Sequence, residues 1–213
     1  MILTPIAPAR LAPTIDRFAA ALGPPARAIL ARIAAAGDGK RAAPAAATAD
    51  REAALALAMR FGMGVLPGSP ALDFSWNGSA LRGETEAYVL LHEVAHFQLA
   101  PPARRPRVEF GLGPGPETGW RREAEEAAVV FGIAREAEEA LASLLGVLWE
   151  AELGQPGLAS FLDQNWLEGA GRPGAAAHFE NVLGRLERLG LIDAAGRPQH
   201  RLAVHQIDDL VSL

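Results

Sequence analysis

Residues 84–102 read ETEAYVLLHEVAHFQLAPP, and the rest of the chain takes its meaning from them. No glycine or proline interrupts the run before Pro101 and Pro102, so one helix is predicted from Glu84 to about Ala100, stopped by the proline pair. Val89, Leu90, Leu91, Val94 and Leu99 mark it as a helix buried in the domain. Within it stands His92-Glu93-Val94-Ala95-His96, an HExxH motif. Two imidazoles at i and i+4 project from one face a turn apart, so both can reach one metal ion with the Glu93 carboxylate beside them. A shuffled chain of this composition would contain the motif with a probability on the order of 0.01, which makes chance a poor source for it. Buried imidazoles left unpaired would be costly, and coordination satisfies them.

A third ligand must come from outside that helix. The sequence from Trp120 to about Leu153 is helix-forming, with possible breaks near Gly132 or Gly146, and packing across the intervening loop would bring its carboxylates to the imidazoles. Glu125 is the expected ligand, because Ala128 at i+3 permits close approach of the two helices; Glu126 and then Glu123 are the alternatives. Tyr88, the only tyrosine, lies one turn before His92 on the imidazole face, where its hydroxyl can meet substrate or pack in the core. Arg104 and Arg105 follow in the loop, positioned to pair with a ligand carboxylate or an anionic substrate group. His178, His200 and His205 have no ligand spacing and are expected to be structural or exposed.

Composition narrows the classes of function. The chain has 213 residues, 50% hydrophobic but only 6% aromatic, so its apolar share is largely alanine and leucine, which favours helix. A net charge of -5, with Lys40 the only lysine, argues against nucleic acid as the principal partner. The absence of cysteine excludes disulfides, a cysteine nucleophile, iron–sulfur clusters and thiolate-rich zinc sites, so any metal must use histidine and carboxylate. Prolines break MILTPIAPAR where a signal peptide needs an apolar core, and no run approaches the ~20 apolar residues of a membrane span. A cytoplasmic protein with no membrane partner is expected; the oligomeric state is open.

The expected fold is α+β and mainly helical, with a few short strands. Residues 1–50 read as an Ala/Pro-rich helical arm or cap, with helices at Thr14–Leu22 and Pro24–Ala36 and a linker at AAPAAATAD, 42–50. The catalytic domain is then 51–213: a helix capped by Asp50 and running to about Phe61, loops with one or two short strands over 62–76, the HExxH helix, an irregular excursion over 101–119, the second long helix, and an amphipathic helix at Ala175–Leu189. A small hairpin is expected in the tail from Gly190, with Gly196-Arg197 at its turn.

Onward from the motif, HEVAHFQLAPPARRPRVEFG resembles the elongation factor P hydroxylase family of bacterial proteins. There an HExxH-type segment is followed by an aromatic residue, Leu-Ala, Arg-Arg and Phe-Gly, matched here by Phe97, Leu99, Ala100, Arg104, Arg105, Phe110 and Gly111. LEGAGRP at 167–173, with Phe179 and Val182, is similar to a pattern near that family's carboxyl end, so the resemblance covers roughly residues 60–200. It implies a metallopeptidase-like helix pair carrying a two-histidine, one-carboxylate metal site, and a metal-dependent oxygenase that hydroxylates a modified lysine on a translation factor. His92 and His96 carry over as ligands; after Phe-Gly this chain has Leu112-Gly113-Pro114-Gly115 in place of an aromatic-rich stretch.

Two enzymes share this ligand set. In an iron(II) oxygenase, the metal favoured by the resemblance, Glu93 is a second ligand or a proton shuttle. In a zinc metallopeptidase Glu93 is the general base on a zinc-bound water, a reading supported by the likeness of Glu125-x-x-Ala128-x-x-Phe131 to the downstream glutamate helix of intracellular peptidases that cleave repressors. A protein, a peptide or a small molecule would be the substrate. A scaffold with a structural or vestigial metal site is the third reading, and the intact Glu93 argues against it.

Overall fold

A computed structural model of the chain describes residues 6–67, 73–167, 172 and 174–203. Three helices open it: α1 at Pro8–Ala20, α2 at Pro24–Ala35 and α3 at Pro44–Arg60. Each begins on a proline in its first turn, where the missing N–H has no intrahelical partner to lose. The expected linker at 42–50 is corrected by α3, since Pro44 starts the helix and the alanines after it are the strongest helix formers. Asp50 is therefore interior to α3, not its cap, and the 50/51 boundary falls within that helix. α1 likewise starts before Thr14 and runs through Pro13.

Of the short strands expected over 62–76, β1 forms at Gly64–Leu66; its partner β2 lies beyond that stretch, at Ala80–Arg82, paired in parallel with Gly64 opposite Ala80. α4 then occupies Ala87–Leu99, starting slightly later than Glu84. It ends at Ala100, whose extended backbone (φ -60°, ψ 130°) is the conformation that a following proline imposes. Residues 101–119 are irregular as expected, apart from one 3-10 turn at Val108–Gly111.

The expected helix over 120–153 is two. α5 spans only Arg121–Glu126, and α6 spans Gly132–Glu152; the break falls at Gly132, and Gly146 lies within α6. α7 at Gly157–Asp163 and α8 at Ala175–Arg188 complete the helices of the described residues, and an antiparallel bridge between Ile192 and Pro198 closes the expected small turn at Gly196 (φ +71°). His205, residues 204–207 of the tail and most of LEGAGRP lie outside the described residues. Among the described residues no helix is long and apolar enough to cross a membrane.

One apolar core unites these elements. Phe18 of α1 and Phe161 of α7 both pack edge-on against Phe179 of α8, while Ile29, Leu30 and Ile33 of α2 belong to the same buried cluster as α4 and α6. Leu90, Leu91 and Val94 of α4 and Leu141, Leu144 and Leu148 of α6 are all fully buried. α4 and α6 meet closely at Gly146, where a Cβ would stand 3.4 Å from the backbone N and Cα of His92. Alanine is tolerated there, but the γ carbons of valine would press on the α4 backbone. Gly146→Val is expected to cost roughly 1–3 kcal/mol, read as a melting temperature lower by roughly 3–10 °C for a chain of this size.

Glu150, on α6, is 2% exposed, and burial pushes its carboxyl up to about 7 although the Ser160 hydroxyl bonds it. Its folded pKa lies above the ordinary 4.5, so the folded state holds the extra proton between those values. The associated stability is present below pH 4.5 and is lost as pH rises through 7. Glu150→Gln cannot ionise, and is expected to exceed the parent in stability at pH 8 by roughly 1–3 kcal/mol. That advantage should shrink to below about 1 kcal/mol at pH 5, as urea unfolding at the two pH values would measure.

Candidate metal centre

α4 places His92 and His96 one turn apart, and their Nε2 atoms come within 3.0 Å of each other. The carboxylate that faces them is Glu139 of α6, whose Oε2 lies 3.5 Å from each Nε2. Bonds of about 2.1 Å to a common ion would set neighbouring ligand atoms about 3.0 Å apart in an octahedral shell and about 3.4 Å in a tetrahedral one. The observed separations straddle those values, so His92, His96 and Glu139 can hold one metal ion.

Glu125 does not take that place. It sits on α5 with its side chain exposed, beside Gly113, and Glu126 and Glu123 are exposed on the same short helix. The physical reason is the interruption of the helix between α5 and α6: a new helix starts at Gly132, and it is this second helix that crosses α4. One signal was present in the sequence. Glu138 shares the apolar stripe of Leu141, Ala142 and Leu145, and a charge on a buried stripe demands a partner.

That partner is Arg104. Its Nη2 donates to Glu138 Oε2 at 2.6 Å and its Nη1 to the Phe110 carbonyl at 2.9 Å, with Arg104 7% and Glu138 0% exposed. The other Glu138 oxygen lies 3.7 Å from His96 Nδ1, and neither atom has a hydrogen-bond partner. Without a hydrogen bond, the charge of this carboxylate behind the imidazole still favours a proton on Nδ1, which leaves the opposite nitrogen for coordination. Arg104 thus pairs with the carboxylate behind the ligand rather than with the ligand itself. Arg105 donates to the carbonyls of Phe97 and Ala203 and ties the end of α4 to the tail.

Phe110 stacks on both the His96 ring and the Trp76 indole, closing one side of the site. It and Glu109 adopt left-handed backbone (φ 52° and 45°), a strained geometry for residues with side chains. The result is that the Glu109 carboxylate turns inward, accepting hydrogen bonds from the Ser75 N–H at 2.8 Å and the Thr118 hydroxyl at 3.0 Å. Glu93, 8% exposed, faces the same space. Burial and the nearby Glu109 push its carboxyl up to about 8. Burial and His96 lower His92, whereas His96, despite its burial, is raised to about 10 by Glu139 and Glu138. Glu139 is held well below the usual carboxylate range, the two imidazoles outweighing its burial.

These groups open onto a cavity of about 560 Å³. Tyr88 and Glu93 line it, as do Trp166 and the exposed His178 stacked on the Trp166 indole. Tyr88 is half-buried, with the Arg41 guanidinium 3.7 Å above its ring. His200 stacks on Phe61 and is exposed, outside the cavity. No protein-family model, curated protein or solved structure matches the chain.

Proposed function

We propose that this protein is a metal-dependent oxygenase of the hydroxylase type, with iron(II) bound by His92, His96 and Glu139 and a protein or small-molecule substrate in the cavity. Two histidines and one carboxylate on a single face, with the remaining directions open to a cavity, are the donor set of non-haem iron oxygenases. When bound there, iron(II) supplies activation of dioxygen. The carrying observation is that Arg104 and Phe110, both in the segment resembling the hydroxylase family, engage the metal-facing residues: Arg104 through Glu138 and Phe110 through the His96 ring. A peptidase shares the ligands, but β1 and β2 contribute no residue to the cavity wall, so neither offers an edge there to align an extended peptide.

The chain's own groups have separable tasks. Phe110, backed by Trp76, excludes water from one face of the His96 imidazole. Glu93 stands in the cavity wall beside both imidazoles, where its carboxyl can deliver or take a proton. Glu93→Gln is expected to retain metal while lowering turnover by roughly 10²–10⁴-fold. Metal analysis of anaerobically purified protein tests the whole reading. One iron per chain with dioxygen-dependent substrate oxidation supports it; zinc with peptide hydrolysis, or no metal, overturns it.

A further inference from the structure

Tyr88 also lines a second cavity, of about 540 Å³, that the metal chemistry does not use. Its wall comprises residues from Arg41 to Arg51, the approach to α4 at 84–88, and Glu150, Gln155 and Pro156 beyond the metal ligand on α6 and after it. Arg41 is already committed: it donates to Ser160 Oγ at 2.7 Å, pairs with Asp163 at 2.6 Å and covers the Tyr88 ring. Four carboxyl groups, Asp50, Glu84, Glu86 and Glu150, stand in the wall against one further cation, Arg51.

Two features separate this from a solvated acidic patch. Glu150 is 2% exposed and carries a carboxyl into the wall of an open space. Gln155, also 2% exposed, donates from Nε2 to the Asp50 carbonyl at 2.9 Å, while its Oε1 is buried and receives no hydrogen bond. A buried acceptor without a donor is costly, and a ligand N–H can supply what the chain does not. No three carboxylate oxygens converge here as metal ligands; among the described residues only His92, His96 and Glu139 form such a group. Dispersed acceptors of this kind suit a larger cation with donors pointing in several directions.

We propose that the second cavity binds an organic cation bearing several N–H donors, a guanidinium or primary ammonium group, received by Glu150 and by Gln155 Oε1. The probes are agmatine and 1,5-diaminopentane, with tetramethylammonium as a cation that has no N–H, titrated calorimetrically at pH 8 into the full chain. Agmatine or the diamine should bind saturably, with tetramethylammonium at least about tenfold weaker. Glu150→Gln should weaken binding by at least about tenfold, and Glu84→Gln, at an exposed position that folding does not need, by a smaller factor. Glu139→Gln should leave it unchanged, which separates this cavity from the metal site and its failure from that of the proposed enzyme. Absence of saturable binding, equal binding of tetramethylammonium, full binding to Glu150→Gln, or loss in Glu139→Gln overturns the proposal.

Discussion

Glu139→Gln is expected to lose its metal, with the metal content of the purified protein falling from about one equivalent to near zero. The amide keeps the size of the side chain but removes the charge that faces both Nε2 atoms at 3.5 Å. The loss in affinity should exceed the roughly 10–100-fold that removing an outer partner of a ligand costs, because here a ligand atom itself is replaced. Activity should fall with occupancy. Glu125→Gln is the matched control: its side chain is exposed on α5, and a surface change of that kind stays within about ±0.5 kcal/mol of the parent. Retention of stoichiometric metal by Glu139→Gln and its loss by Glu125→Gln would reverse the assignment and restore the reading from residue spacing.

The contrast between those two glutamates shows where residue patterns stop being informative. His92 and His96 could be read directly, since i and i+4 on an uninterrupted helix must share a face whatever surrounds them. Glu139 could not, because a glycine marks the break near 132 without showing that the helix after it, rather than the one before, packs on α4. The alanine-rich stretch after Pro44 failed in the opposite sense: its low complexity suggests a linker, while alanine's propensity and the burial of Ala54, Leu57 and Ala58 make it the start of α3. Glu109 is a third case. Its inward turn rests on positive φ at two residues that are not glycine, a conformation held by contacts distant in sequence, among them those of Ser75, Thr118 and Arg104.

Those contacts make Arg104 the residue whose loss should cost the fold most. Arg104→Leu would leave Glu138, fully buried, without its hydrogen-bonded cation and the Phe110 carbonyl with no donor. Breaking a buried pair from one side costs about 3–5 kcal/mol, which for a chain of this length lowers the melting temperature by roughly 6–20 °C. Removing both charges in Arg104→Leu/Glu138→Leu should recover much of that, since two apolar side chains do not leave a stranded charge. The recovery should stop short of the parent by about 1–3 kcal/mol, the cost of the Phe110 carbonyl left without its hydrogen bond. Metal binding should not recover with stability. In the double variant His96 Nδ1 has no carboxylate behind it, so affinity should remain down by roughly 10–100-fold. Glu138→Gln supplies the complementary test, keeping an oxygen toward Nδ1 while giving up the charge, and should bind metal more tightly than the double variant. Were the double variant to regain both stability and metal affinity, the Arg104–Glu138 pair would be a packing element with no part in orienting His96.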